Sequence, residues 1–520
     1  MTTAVVVGSG PNGLAAALVL ADAGVRVRVI EAADTLGGGT RSAELTLPGL
    51  VHDVCAAIHP LAVATRFSRA FDLAEHGLSW AEPPVQYSHP LDHGRGAAAY
   101  RSVEETGRRL GGRDGRTWTR VFGSLTDRFD TIADEFLRPV LHIPRHPFHL
   151  GRFGLYAGLP ASLLARRWHQ DEARALLAGL AAHAFRPLDA LASSAIGVAL
   201  GTAAHRYGWG AAVGGSAAIS TAMAAAAKQR GVLFETGRTV TSLDDLGSVD
   251  LVMLDTAPGA AADIIGDRLP RHVARAYRAY RHGPGAFKVD FAVEGGVPWT
   301  HEPSRHAGTV HVGGTFEEIA SAEATVARGR MPGRPFVLAA QQYVADPSRS
   351  ADGVHPLYTY AHVPAGYTGD ATEAIVAQIE RFAPGFRDRI RGTAVCSTTE
   401  MSRKNANYIG GDIVSGSNDP LQLLFRPRIT LHPYATGADG VFICSAATPP
   451  GAGAHGMSGY WAARAALREV EAGSSYRAGS VPRAPCRGGP GPVPSSTGGT
   501  RSGSGRCGRS PPPGPPRGGG

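Results

Sequence analysis

The opening 31 residues constrain this chain more than any other stretch. Ala4-Val5-Val6-Val7 is a short apolar run of strand type, and Gly8-Ser9-Gly10-Pro11-Asn12-Gly13 follows it directly. Leu14, Leu18 and Ala21 then recur at helical spacing, and Gly24 stands where a helix would stop. Val25, Val27 and Val29 alternate toward Glu31 as a second strand. Strand, glycine turn, helix, strand and acid in this order predict a dinucleotide-binding unit. Gly8 permits the tight turn, Gly10 lets backbone approach a pyrophosphate, and Gly13 lets helix and strand pack closely. The helix N-terminus supplies amide donors to phosphate oxygens, and Glu31 is placed to accept from ribose hydroxyls.

That unit alone does not separate NAD from FAD. An NAD domain would continue with further strand–helix–strand units. Here Leu36-Gly37-Gly38-Gly39-Thr40-Arg41 comes within ten residues of Glu31. It resembles the second glycine motif of flavoproteins related to glutathione reductase, whose backbone again lies against the cofactor. FAD is therefore the expected cofactor, with Ala32, Gly37, Gly38, Thr40 and Arg41 among its contacts.

Composition narrows the alternatives. A chain of 520 residues with 43% hydrophobic and 18% charged residues has room for more than one globular domain. No apolar run reaches 18 residues, and a strand begins within a few residues of Met1, so a cytoplasmic protein without a leader is expected. The pI of about 9.4 would suggest a nucleic-acid partner, but seven of the net +8 charges are arginines of residues 473–520, which leaves about +1 for the rest. No nucleic-acid partner is expected. Five scattered cysteines without a CxxC pair argue against a dithiol enzyme and a zinc site. The 20 histidines show no metal-ligand spacing either, so no metal is expected. Residues 473–520 are rich in Gly, Pro, Ser and Arg and predict a disordered tail, a composition that a shifted reading frame would also produce.

A second glycine-rich strand-to-helix turn lies near the end. Residues 441–444 read as a strand, Ser445 to Gly459 as a loop, and residues 460–472 as a helix, again a natural anion site. Between the two ends, residues 210–290 return to a helix followed by strands over 232–235 and 239–243, and residues 291–424 look rich in strands.

His52-Asp-Val-Cys-Ala-Ala-Ile-His-Pro60, His89-Pro-Leu-Asp92, Arg101-Ser-Val-Glu-Glu-Thr106, Gln378-Ile-Glu-Arg-Phe-Ala-Pro-Gly-Phe386 and Gly410-Gly-Asp412 carry a more specific resemblance. With the glycine motifs, they make residues 1–472 similar to phytoene-desaturase-like flavoproteins of the amine-oxidase superfamily, in the branch of pyridine nucleotide-disulfide oxidoreductase domain-containing protein 2. The resemblance implies an α/β fold, in which a glutathione-reductase-type, Rossmann-like FAD domain (residues 1–75, 210–285 and 425–472) is interleaved with an α+β substrate domain (76–209 and 286–424). It also implies that Val240 meets the adenine end of FAD, that Ser445 touches the flavin side chain, and that the loop with Gly453, Gly456 and Met457 gives backbone amides to the flavin ring.

The resemblance further puts Lys288 on the strand where amine oxidases keep a lysine near flavin N5. In a chain with only three lysines, one flanked by Phe287 and Val289 is notable, although a solvent-facing strand lysine reads equally well. His455 reads either as a substrate-facing group or as a histidine bonded to nearby backbone, and His59 either as catalytic or as a core residue. Tyr343, Tyr360 and His362 read as walls of the substrate domain. Residues 136–168 mix apolar, arginine and histidine residues. They read as a helical lid in preference to a surface helix in peripheral contact with a membrane.

The expected activity is dehydrogenation (desaturation) or redox isomerisation of a hydrophobic small molecule by hydride transfer to flavin N5. Oxygen, a quinone or another acceptor would then take the electrons. A flavin-binding regulatory protein with little turnover and an amine oxidase are the alternatives. The sequence leaves oligomeric state open, a homo-oligomer included.

Overall fold

In a computed structural model of the protein, which describes residues 1–479, Thr3–Val7 is the middle strand of a five-stranded parallel sheet. The order is Val441–Ile443, Leu251–Leu254, Thr3–Val7, Arg26–Ile30, Leu233–Glu235. Because the sheet is buried on both faces, its strands are nearly continuous aliphatic runs. Ala4, Val6, Val27, Val29 and Met253 pack beneath the alanine-rich helices Pro11–Asp22 and Ala217–Gln229. Val5, Val7, Ile30, Val252 and Leu254 point the other way, onto the helices Pro258–Ile265 and Arg271–Arg278. The strand period of two sorts one valine run into two cores.

The second sheet has seven strands in the order Ile390–Cys396, Gly285–Glu294, Val354–Val363, Val337–Ala340, Ala307–Val312, Val85–Pro90, Gly96–Ala99. Its neighbours are antiparallel except for the parallel pair Ala307–Val312 and Val85–Pro90. One face carries Phe287, Val289, Phe291, Val310, Val337 and Leu357 into an aliphatic core with the helix Thr372–Phe382. The opposite face carries Lys288, Asp290, Tyr358, Tyr360, His311 and Thr309. Apolar and polar side chains alternate along each strand, and the polar set faces the helices of residues 103–207 and the first sheet's loops.

Four expectations are corrected. Residues 239–243 are not a strand, because Gly237 turns at a φ of 69° and a Ser242 capping box starts a 3-10 helix at Leu243–Leu246. Tyr343 lies in the short helix Gln342–Ala345 instead of a strand, and stacks on His355 of the strand Val354–Val363. The closing helix begins at Met457, earlier than expected, because Gly456 at a φ of 67° already turns the chain into it. It also extends to Gly479, since no proline precedes Pro482 to interrupt it. The rest of the expected tail, residues 480–520, lies outside the described residues. Met1–Glu471 forms one compact unit. Among the described residues no helix is long and apolar enough to cross a membrane.

Candidate functional site

The first turn is held by a carboxylate. Glu31 Oε2 accepts from Ser9 N (2.9 Å) and Ser9 Oγ (2.6 Å), and Oε1 accepts from Ala33 N (2.9 Å) and Arg41 Nη2 (3.3 Å). Glu31 lines the cavity described below, yet four protein donors already engage it, so a ribose hydroxyl there shares the carboxylate with Ser9 and Arg41. A Cβ on Gly13 would lie 2.2 Å from Gly8 O, and one on Gly10 would lie 2.8 Å from Asp255 Oδ2. Both positions are closed to any side chain, and the turn sits directly on the strand end of Leu251–Leu254.

Asp255 was not singled out in the sequence, where it is one acid after a strand. Its Oδ2 accepts from Gly13 N at 2.9 Å, inside the first turn of the dinucleotide helix. Burial pushes its carboxyl up to about 7; the Gly13 and Gly10 amides oppose that rise and Glu31 adds to it. Asn12, at the same helix start, is buried and its Oδ1 has no partner.

The second glycine motif closes over the first. Gly37 N donates to Ser9 O and Ser9 Oγ, both at 3.1 Å, and a Cβ on Gly38 would come within 2.9 Å of Gly10 Cα. A Cβ on Gly39 would strike Tyr408 Oη at 2.1 Å. Asn407, just before Tyr408, accepts from Ala257 N (2.8 Å) and donates to Asp255 O (3.0 Å), which anchors this loop to the turn after the strand.

These parts surround one cavity of about 1180 Å³, larger than the roughly 300–1,000 Å³ of an ordinary small-ligand pocket. Of the residues expected at the cofactor, Gly8, Gly10, Pro11, Asn12, Glu31, Ala32, Gly38, Thr40, Arg41, Val240, Ser445 and Gly453 line it, as do His59 and His455. Gly13 and Gly37 stand behind the wall as packing residues. Gly456 and Met457 are also off the wall, and Met457 N donates to His455 Nδ1 at 3.1 Å; the cavity meets Ala452 to His455 instead.

His455 is bonded to Met457 N and to the Ala452 backbone, and burial pushes its pKa down to about 4. His59 Nε2 shares a 2.8 Å hydrogen bond with Ser216 Oγ, and burial likewise takes it down to about 4, against an opposing pull from Asp53. Both rings are neutral at pH 7. Lys288 is the larger surprise: it is 1% exposed, does not line the cavity, and its Nζ is bonded to Asp290 Oδ2 behind Tyr358 and Cys55. Its strand alternation points it at the cavity side of the sheet, but the longer Tyr358 ring covers it.

Beyond the glycine turns the cavity becomes apolar, with Leu150, Phe153, Ala157, Ile196, Ala199 and Leu338 on its walls. Tyr360, Tyr358, His183, Trp209 and Thr309 are among its polar-tipped lining residues. His183 Nε2 pairs with His311 Nε2 at 2.9 Å, and burial lowers His183 to about 3. His362 is bonded to Glu323 at 2.8 Å and stays off the wall. The lid segment supplies Leu150 and Phe153 from the helix Pro147–Ala157, while Phe148 on its far side is 89% exposed. The buried glycine cradle at a helix start, where Gly8, Gly10, Pro11 and Asn12 line the cavity, fits a bound dinucleotide.

Residues 6–74 match the family described as NAD(P)-binding Rossmann-like domain. The chain is 30% identical over 447 residues to a phytoene dehydrogenase of Streptomyces griseus, covering 79% of this chain and 80% of that protein. It is 22% identical over 562 residues to pyridine nucleotide-disulfide oxidoreductase domain-containing protein 2 of Rattus norvegicus, covering 90% and 94%. A putrescine oxidase shares the fold with a TM-score of 0.56 at 17% identity, over 90% of this chain and 99% of that one. The chain belongs to the phytoene dehydrogenase family of FAD-dependent oxidoreductases.

Proposed function

We propose that the protein dehydrogenates, or isomerises by paired redox steps, a hydrophobic small molecule held in the apolar half of the cavity. The supporting observation is continuity: the glycine cradle and the chamber walled by Phe153, Ile196, Ala199 and Leu338 are one space. When bound, FAD supplies the acceptor for a hydride taken from a substrate C–H bond. Gly8, Gly10, Asn12, Glu31, Gly38 and Arg41 hold its dinucleotide end, and residues 452–455 face the same space from the other side.

The protein's own contribution is binding, orientation and exclusion of water. The aliphatic walls favour a substrate without charge, and neutral His59 and His455 bring no positive charge into the chamber at pH 7. Tyr360 and His183 are among the lining groups able to orient a polar atom on an otherwise apolar ligand. The Streptomyces relative is named for phytoene, which supports a long unsaturated hydrocarbon or a related isoprenoid as the substrate class.

The test is anaerobic. FAD-loaded protein is mixed with a panel of isoprenoid hydrocarbons, alicyclic ketones and alkylamines, and flavin bleaching is followed. Bleaching by a hydrocarbon or ketone with a desaturated product, or an isomerised product formed without net bleaching, supports the reading. Bleaching by amines alone makes the protein an amine oxidase, and neither bleaching nor product from any class favours a binding protein with little turnover.

A further inference from the structure

Lys288 is the inner end of a buried chain of ionisable side chains that leads out of the protein. Its Nζ is bonded to Asp290 Oδ2, two residues along the same strand and so on the same face. Asp290 Oδ1 faces His52 Nδ1 at 3.5 Å, and neither atom has a hydrogen-bond partner. A proton between them would satisfy both. His52 Nε2 shares a 2.7 Å hydrogen bond with Thr46 Oγ1, and Thr46 is only half-buried. Lys288, Asp290 and His52 are each 1% exposed.

The inner end reaches the cavity wall. Lys288 Nζ lies 4.5 Å from the ring centre of Tyr358, whose hydroxyl is bonded to the Cys55 carbonyl. Tyr358 and Cys55 both line the cavity. The Cys55 thiol is pushed up to about 11 by burial, against a hydrogen bond with Tyr408 and the nearby charge of Lys288. The adjacent acid, Asp53, belongs to a different network through Arg349 Nη1 at 2.6 Å, so it does not compete for His52.

Buried ion pairs contribute little net stability, because desolvation offsets their attraction. Packing alone therefore does not account for a lysine, an aspartate and a histidine in series beneath a sheet. The oxidation proposed above requires proton traffic. A substrate that loses two hydrogens gives up one as hydride and one as a proton, which must leave the chamber. When an oxygen- or quinone-type acceptor later takes the hydride, it also takes a proton, which must return. We propose that Lys288, Asp290, His52 and Thr46 form the relay that carries this proton between the cavity wall and solvent. The proposal rests on the redox reading above. None of the four residues lines the cavity, and all act through Tyr358 and Cys55 at the wall.

The test uses the FAD-loaded protein, photoreduced without oxygen and then mixed rapidly with oxygen in H2O and in D2O. Wild type is compared with Asp290→Asn, His52→Gln and Thr46→Val. The relay predicts reoxidation slowed roughly tenfold in the first two and by a smaller factor in Thr46→Val, as expected when a positioned proton carrier is removed. The solvent isotope effect should rise in all three. The ring nitrogen resonances of His52 in the oxidised protein should also move in Asp290→Asn and in Thr46→Val. If Asp290→Asn does not fold, His52→Gln and the surface-end Thr46→Val decide the matter. Variants that reoxidise with the wild-type rate and isotope effect overturn the relay and leave the redox reading intact. A wild-type protein that takes up no FAD overturns the redox reading instead.

Discussion

Ser9 and Glu31 are joined twice: the backbone amide and the hydroxyl of Ser9 both donate to Glu31 Oε2, at 2.9 and 2.6 Å. The acid at the end of the second strand thus sets the conformation of the glycine turn at the end of the first. Glu31→Gln turns one acceptor oxygen into a donor and leaves at least one of its four donors, two amides, a hydroxyl and a guanidinium, unmet. Hydrogen bonds to a charged group are worth about 1.5–3 kcal/mol each, so FAD affinity should fall roughly ten- to a hundredfold. A flavin fluorescence titration of the apoprotein measures it.

Asp255 gives FAD binding a pH dependence of definite sign. Its folded pKa of about 7 stands above an ordinary value of 3.8, so the stability it contributes is fully present below about 4 and is lost as pH rises to about 7. Above that, a bare carboxylate lies in the helix turn where phosphate is to bind. FAD affinity should therefore weaken as pH rises through 7, by at most about tenfold per unit, and Asp255→Asn should flatten the profile. Titrations from pH 6 to pH 9 check this.

The buried histidines act on stability with the opposite sign. Burial holds His59 and His455 at about 4 and His183 at about 3, whereas the unfolded chain takes up these protons near 6.5. Their stability is complete above about 6.5 and is lost as pH falls toward 4. Each adds at most about 1.4 kcal/mol per pH unit, and three such groups outweigh the single Asp255. Urea midpoints at pH 7, 6 and 5 should fall progressively, and less so in His183→Gln.

Gly459 marks where the closing helix crosses the first one. A Cβ there would sit 1.8 Å from Asn12 O, a backbone atom fixed by the dinucleotide helix. Gly459→Ala should therefore destabilise by at least the roughly 1–3 kcal/mol of ordinary overpacking and lose FAD with it. Gly151→Ala is the control: it lies in the helix Pro147–Ala157, a Cβ would meet nothing within 4 Å, and a gain of roughly 0.5–1 kcal/mol is expected. Thermal melts of both variants measure the difference.

The parts of the site written as backbone conformation were legible in the sequence. Gly8, Gly10, Gly13 and Gly38 occupy places where a side chain collides with named atoms, and such demands leave glycine as their trace. The two-sided parallel sheet was equally readable from its aliphatic runs. Contacts between distant segments left no such trace. Asp255 is a lone acid until Gly13 donates to it, and Tyr408 and Asn407 are loop residues until the fold brings them under the second glycine motif. Lys288 shows what a strand pattern does not carry: only packing reveals that Tyr358 stands in front of it and that Asp290 binds it. The missing strand at 239–243 failed for a local reason, since Gly237 and the Ser242 cap outweigh a valine and two threonines.

The most direct test of the account is FAD binding by the apoprotein, measured calorimetrically for wild type, Gly10→Val and Gly453→Val. The two glycines line the same cavity from opposite ends of the sequence. One FAD per chain, with binding lost or greatly weakened in both variants, is the predicted result. Undiminished binding in Gly453→Val would contradict a cofactor site built from both ends of the chain.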